Sequence, residues 1–172
     1  MPKKIIIPSS FQMIEDTINY VDGFIVGVKD LSVNLPFYVE NIEEMVNYIK
    51  KNHKEIFVSL NKNIHNSDLE YLKEILIKLE QLGVTGVMYY DASVVSLKRE
   101  LGLNIDLVWA QEHMTTNYLT ANYWNSFGAN YMFVSNEVTI DEIIEMSAKV
   151  GAKLMVQLFG YIPIFNSRRH LV

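Results

Sequence analysis

Gln81-Leu82-Gly83-Val84-Thr85-Gly86-Val87-Met88-Tyr89-Tyr90-Asp91 is the stretch that decides the fold class. It reads as the end of a helix, a glycine suited to a left-handed turn, an apolar run and an acid. The run Val84–Tyr90 is short and apolar on consecutive positions, as a strand covered on both faces should be. The same helix-to-strand joint recurs at Ser126-Phe127-Gly128-Ala129 and Lys149-Val150-Gly151-Ala152. A repeated joint of this kind is the mark of successive βα units and hence of a parallel sheet.

Working outward, further strands are expected at Lys4–Ile7, Phe24–Val28, Ile56–Leu60, Ile105–Ala110, Tyr131–Val134 and Leu154–Phe159. Amphipathic helices lie between them. One stripe holds Ile42, Met45, Val46 and Ile49, a second Leu69, Leu72, Leu76 and Leu79, and a third Ile140, Ile143, Ile144 and Ser147. Asn66-Ser67-Asp68 precedes the second helix, and Thr139 with Glu142 makes a capping box for the third. Gly83, Gly102, Gly128 and Gly151 each follow a helical stretch where a left-handed residue is expected.

Parallel βα units build either a closed (β/α)8 barrel or an open, doubly wound sheet. No Gly-x-Gly-x-x-Gly and no Gly-Lys-Ser/Thr loop follows a strand, which weakens the nucleotide readings. Seven strands are expected where a closed barrel needs eight. The favoured architecture is therefore an incomplete TIM-barrel-like α/β domain over residues 1–172, the N-terminal part of a longer protein. Its unpaired edge calls for a partner chain or a missing C-terminal segment.

Composition sets wider bounds. The chain of 172 residues carries 15 Lys+Arg against 20 Asp+Glu, a net charge of −5, and 49% of it is hydrophobic. It can bury one sizeable core, and its acidity gives no support to a nucleic-acid reader held by bulk charge. A local basic patch is still compatible with RNA. There is no cysteine, so disulfides, thiolate nucleophiles and clusters on its own thiolates are excluded. No apolar run approaches the roughly 20 residues of a membrane span, and a cytoplasmic location without membrane contact is expected.

In either parallel architecture ligands bind beyond the carboxyl ends of the strands. The polar sets there are Ser9 and Ser10, then Lys29 and Asp30, then Asn61, Lys62 and Asn63, then Asp91. Gln111, Glu112 and His113 follow the fifth strand, Asn136 and Glu137 the sixth, and Tyr161 to Arg169 the seventh. Glu112-His113 is an acid–imidazole pair able to move protons, or else a cap for a helix starting near Thr115 or Thr116. Asn61 and Asp91 are candidates to orient a polar substrate, although both types are also ordinary loop residues. Ser167-Arg168-Arg169-His170 is the concentrated cationic element, and guanidinium forks suit carboxylates and phosphates. His53 and His65 lack metal-ligand spacing and read as surface residues. No cofactor and no metal is expected from these patterns.

The closing stretch Phe159-Gly160-Tyr161-Ile162-Pro163-Ile164-Phe165-Asn166-Ser167-Arg168-Arg169-His170-Leu171-Val172 resembles the signature region of the collagenase-like peptidase family, peptidase family U-thirty-two. Val58 to His65, Met88-Tyr89-Tyr90-Asp91, Thr116-Asn117, Tyr123-Trp124, Gly128 and Glu137 to Ile143 fit the same family in order. The resemblance implies a barrel and a peptidase or hydrolase label. Other members of the family are linked to hydroxylation of transfer or ribosomal RNA or to quinone biosynthesis, so prephenate- or metabolite-linked RNA hydroxylation is the alternative reading. Family cysteines near Pro163 and His170, which serve an iron–sulfur site in some members, are absent.

For a peptidase, the expected proton-handling and positioning residues are Glu112, His113, Asn61 and Asp91. Arg168, Arg169 and Ser167, with Asn117, Lys29 and Glu137, are expected to hold a peptide or small carboxylate. For RNA modification, Arg168, Arg169, Lys29 and Lys62 would face phosphate or a carboxylate metabolite. A non-catalytic fragment that only associates with a partner is the third reading.

Overall fold

The computed structural model describes residues 2–111 and 114–161. The expected Glu112, His113, Ser167, Arg168 and Arg169 lie outside the described residues.

The main sheet runs β1 (Ile5–Ile6), β2 (Gly23–Val28), β4 (Glu55–Leu60), β5 (Gly86–Tyr89), β6 (Leu107–Trp109), β7 (Ala129–Phe133) and β8 (Lys153–Met155), neighbours pairing in that order. A two-residue β3 (Tyr38–Val39) pairs with the end of β2, and every pairing is parallel. Consecutive order with parallel pairing is barrel topology and leaves no reversal point of the doubly wound kind. The helices are α1 (Phe11–Thr17), α2 (Ile42–Lys51), α3 (Leu69–Leu82), α4 (Ser93–Glu100), α5 (Tyr118–Ser126) and α6 (Ile140–Lys149).

Side-chain alternation divides the strands between two cores. Phe24, Val26 and Val28 of β2, Ile56, Val58 and Leu60 of β4, and Val87 and Tyr89 of β5 pack under the helices. The intervening Ile25, Phe57, Met88, Val108 and Tyr131, with Ala110 just past β6, form a separate cluster on the other face of the sheet. Phe57 on β4 and Tyr131 on β7 meet edge to face, with ring centroids 5.3 Å apart. Three strand spacings in a flat sheet would hold them roughly 14 Å apart. The sheet must therefore curl around these side chains, giving an incomplete TIM-barrel-like half-barrel with helices outside.

All seven expected strands are present, with the last confined to Lys153–Met155 instead of running on to Phe159. The α2 stripe Ile42, Met45, Val46 and Ile49 is buried, as are Leu72, Leu76 and Leu79 of α3. The α6 stripe differs from expectation. Met146 is its buried residue, whereas Ile140 and Ile144 are 74% and 61% exposed. Gly83, Gly102 and Gly128 take the left-handed conformation, but α6 ends in an extended Val150 and Gly151 is not left-handed. Gly151 is instead suited to close approach, since a Cβ there would sit 2.9 Å from Asn125 Oδ1. The Thr139–Glu142 capping box forms in both directions.

Candidate functional site

The carboxyl ends of β2 and β4 are roofed by the segment between β2 and β3. Leu31 and Ser32 are buried there, and Asp30 and Asn34 adopt positive φ of 69° and 57°, which lets the chain fold back over the strand ends. Ser32 Oγ accepts from Val28 N at 2.8 Å and donates to the Ser59 carbonyl. Gly27 admits this roof, because a Cβ at that position would lie 2.5 Å from Leu35 Cδ1 and 3.1 Å from Ser32 Cβ.

Asn61, at the end of β4, grips the same segment. Its Oδ1 accepts from Val33 N at 2.8 Å and its Nδ2 donates to Val33 O at 3.0 Å, with the residue 8% exposed. Asp91, at the end of β5, accepts from Ile64 N at 3.2 Å through Oδ2 and from Ser93 N at 2.9 Å through Oδ1. Asn61 and Asp91 thus stand at the ends of neighbouring strands, tied to backbone amides that hold the loops of the rim. In this geometry both act as positioning groups.

Lys62 does not face outward as the phosphate reading required. It is 6% exposed and its Nζ lies 3.1 Å from Asp68 Oδ2. A lysine withdrawn from water needs such a partner, so its charge is balanced within the fold. Lys29 and Glu137 are exposed, and Glu137 N donates to Ser135 Oγ at 3.4 Å. Asn117 is the N-cap of α5, its Oδ1 accepting from Thr120 N at 3.0 Å. The helix after β6 therefore starts at Tyr118 with Asn117 as its cap, not near Thr115 or Thr116 as the capping alternative had it. Gln111 donates from Nε2 to Tyr90 O at 3.3 Å.

Among the described residues the rim thus brings Asn61 and Asp91 to adjacent strand ends. Lys29, Asn117 and Glu137 sit in the loops after β2, β6 and β7. Sequence reasoning passed over Ser32, Thr115 and Ser135, which are buried polar residues at strand ends. For Ser32 the signal was a small hydroxyl set between apolar neighbours, Leu31-Ser32-Val33, whereas Thr115 and Ser135 each have a polar neighbour and carried no such signal. Thr115 O accepts from Ser135 N at 3.0 Å, joining the loops after β6 and β7, while Thr115 Oγ1 has no partner. No group of three or more His, Asp or Glu among the described residues is placed to hold a metal ion.

Outside the barrel, an aromatic seam runs from Tyr89 through Trp109 to Trp124. The two indoles stack at 3.7 Å and 20°. The seam opens onto a groove of about 190 Å³ between α4 and α5, where the Arg99 guanidinium lies 5.3 Å from the Phe127 ring centroid. Burial pushes the Tyr89 phenol well above its ordinary value, and neither its hydroxyl nor Trp109 Nε1 finds a partner. This seam stands on the helix side of the sheet, starting from the last residues of β5 and β6.

Comparison with known proteins agrees with the geometry. The model of Peptidase family U32 matches residues 12–172. The tRNA hydroxylation protein P2 of Bacillus subtilis is 29% identical over 152 residues, 87% of this chain and 49% of that protein. The tRNA hydroxylation protein P1 of the same organism is 25% identical, covering 87% of this chain and 35% of that protein. An uncharacterized protease of Methanocaldococcus jannaschii, MJ0090, is 27% identical over 82% of this chain and 35% of its own length. The chain thus spans half or less of the curated relatives it matches. The structure of the U32 peptidase Mk0906 superposes with a TM-score of 0.73 at 20% identity, covering 91% of this chain and 68% of that one. Orotidine 5'-monophosphate decarboxylase from Methanocaldococcus jannaschii superposes at 0.59 with 14% identity, covering 91% and 77%, which is a likeness of fold alone. No helix among the described residues is long and apolar enough to cross a membrane. With a family model matched over nearly its whole length and a half-barrel that agrees, this chain belongs to peptidase family U32.

Proposed function

We propose that this chain serves in the hydroxylation of transfer RNA, using its strand-end rim to hold a small carboxylate or the RNA backbone. The observation that carries the reading is its similarity, over 87% of its length, to two relatives named tRNA hydroxylation proteins. Asn61 and Asp91 bind backbone groups of the rim loops, which suits a positioning role in this reading. In this proposal Arg168 and Arg169, with Ser167, clamp an anion, since a guanidinium fork pairs bidentately with carboxylate or phosphate. Lys29, Asn117 and Glu137 border the same mouth, and Glu112 and His113 are the proton-handling pair.

The test is nucleoside mass spectrometry of transfer RNA from a strain lacking the gene and from the same strain complemented. Loss of a nucleoside heavier by one oxygen atom is expected on deletion, with recovery by the native gene but not by an R168A/R169A double variant. An unchanged nucleoside profile overturns the reading. If peptide cleavage is lost with the gene while nucleosides stay constant, the peptidase name that the family carries describes the activity.

A further inference from the structure

Helix α5 presents a surface unlike the rest of the molecule. No Asp or Glu lies between Glu112 and Glu137, in a chain that carries 20 of them, and α5 falls wholly inside that stretch. Three rings gather at its end. Tyr123 lies edge-on to Trp124 at 5.5 Å and tilted against Phe127 at 5.0 Å between ring centroids. Packing accounts for Trp124, which stacks on the buried Trp109. It does not account for Tyr123 and Phe127, which stay 57% and 36% exposed. A contiguous patch of rings left in water marks a contact surface in a way that a lone exposed ring does not.

A cation completes this surface. Arg99, in the last turn of α4, holds its guanidinium 5.3 Å from the Phe127 ring centroid. Among the described residues no carboxylate lies within ion-pair distance of it, and the adjacent Glu100 is taken by Lys73 at 3.5 Å. Val95 and Ser96 form the α4 wall of the groove beside Arg99, and no acid lines it. Its volume of about 190 Å³ suits one flat ring system, since drug-sized ligands take roughly 300 Å³ or more. Arg99 and Phe127 lie at the C-terminal ends of α4 and α5, a helix length from the strand-end rim.

We propose that this groove holds one unpaired nucleotide of an RNA, its base stacked on Tyr123 and Phe127 and its phosphate on the Arg99 guanidinium. Single-stranded RNA is recognised through base faces laid on aromatic rings and arginine planes, and a free guanidinium fork matches a phosphate. Charge complementarity selects this occupant. A nucleotide carries its anion beside a flat ring, which meets both features of the groove. In a chain of net charge −5, a surface without acids is where a polyanion can approach. A duplex does not fit, because its base faces are stacked on one another. The groove's distance from the rim makes it a positioning contact, fixing the RNA while another nucleotide reaches the strand ends. The choice of RNA rests on the hydroxylation reading above.

Both tryptophans of the chain, Trp109 and Trp124, belong to this seam, so intrinsic fluorescence reports on the groove. The 172-residue chain is titrated with a short single-stranded RNA of mixed sequence, with the same RNA annealed to its complement, and with an acidic phenylalanine-containing peptide. Saturable quenching by the single strand is expected, weakened on annealing. Tyr123→Ala should weaken binding about tenfold. Arg99→Gln should weaken it by a similar factor and lower the slope of log affinity against log salt by about 0.7, the share of one phosphate contact. Both positions are exposed, so their unfolding midpoints should stay native. Tyr20→Ala, 72% exposed and outside the groove, should bind like the native chain. Absence of quenching overturns the proposal, as does native-like binding by Y123A or R99Q, or an equal loss in Y20A. Tighter binding of the duplex overturns it too, and tighter binding of the peptide assigns the groove to a protein partner instead. The nucleoside test stands apart from this one. Unchanged nucleosides on deletion, with RNA binding that depends on Arg99 and Tyr123, would remove the hydroxylation reading and leave the groove. Lost nucleosides with native-like binding by R99Q and Y123A would remove the groove alone.

Discussion

Helices α2 and α3 each bury four residues against the sheet, whereas α5 and α6 bury one apiece, Ala121 and Met146. Both pairs belong to the same repeating βα architecture, so repetition of a motif does not guarantee equal packing. For α6 the difference lies in neighbours, because among the described residues the strands beneath α2 and α3 have partners on both sides while β8, which follows α6, pairs only with β7. For α5, which packs on the doubly paired β7, it lies in the helix's own largely polar sequence, Tyr118 to Ser126. Among the described residues α6 keeps Ile140 and Ile144 exposed on one flank.

The sharpest way to break this comparison is to remove equal amounts of apolar side chain from each region. Leu76→Ala, at a fully buried α3 position, is expected to lower the unfolding free energy by about 2–5 kcal/mol in urea titration. Ile144→Ala on α6 should change it by no more than about 0.5 kcal/mol in the lone chain. Equal losses would mean that α6 is as well packed as α3. Next in size is Gly23→Ala, where a Cβ would come within 2.7 Å of the Glu55 carbonyl and 2.9 Å of Ile5 Cδ1. Backbone cannot yield as a side-chain tip can, so a loss of about 2–3 kcal/mol is expected, with β1 amides exchanging faster.

Asn61→Ala tests whether the rim is held as firmly as the core. It removes both bonds to Val33, and a cost of about 1–2 kcal/mol is expected, with markedly faster exchange of the Val33 amide. Were Asn61 only a substrate contact, that amide would be unaffected. Thr139→Ala, which removes the α6 cap, should cost about 1 kcal/mol or less and show mainly as fraying of the first turn in hydrogen exchange. Tyr89 adds a pH test on the well-packed side. Burial raises its phenol, so the unfolded chain ionises first, near its ordinary value of about 10. The stability contributed by the neutral phenol is present below that pH and lost as pH rises beyond it. Absorbance titration of the folded protein should show one tyrosine resisting ionisation, and its absence in Y89F would assign it.

Much of the fold was legible from local pattern. The stripe of Ile42, Met45, Val46 and Ile49, the Gly83 turn and the Thr139–Glu142 box each arise from contacts a few residues apart. Periodicity reports such contacts directly. The stripe Ile140, Ile143, Ile144 and Ser147 misled for the same reason: apolar spacing marks a face able to be buried, without saying what stands opposite. The rim was legible only as a list of polar residues at strand ends. That Asn61 would bind Val33, Asp91 would bind Ile64 and Lys62 would turn inward to Asp68 depends on how the loops fold back. Sequence spacing carries no signal for that.

The amino-acid sequence by itself determined the alternation of strands and helices, their parallel order, the capping of α6 and the family signature. These follow from short-range sterics, from hydrogen bonding near helix ends and from the two periodicities of apolar residues. Only the tertiary structure decided the curl that brings Phe57 against Tyr131, the roof that Asn61 and Ser32 hold over the strand ends, and the inward turn of Lys62 to Asp68. Those are contacts between residues far apart in the chain, where burial and steric fit choose among partners that local pattern treats alike.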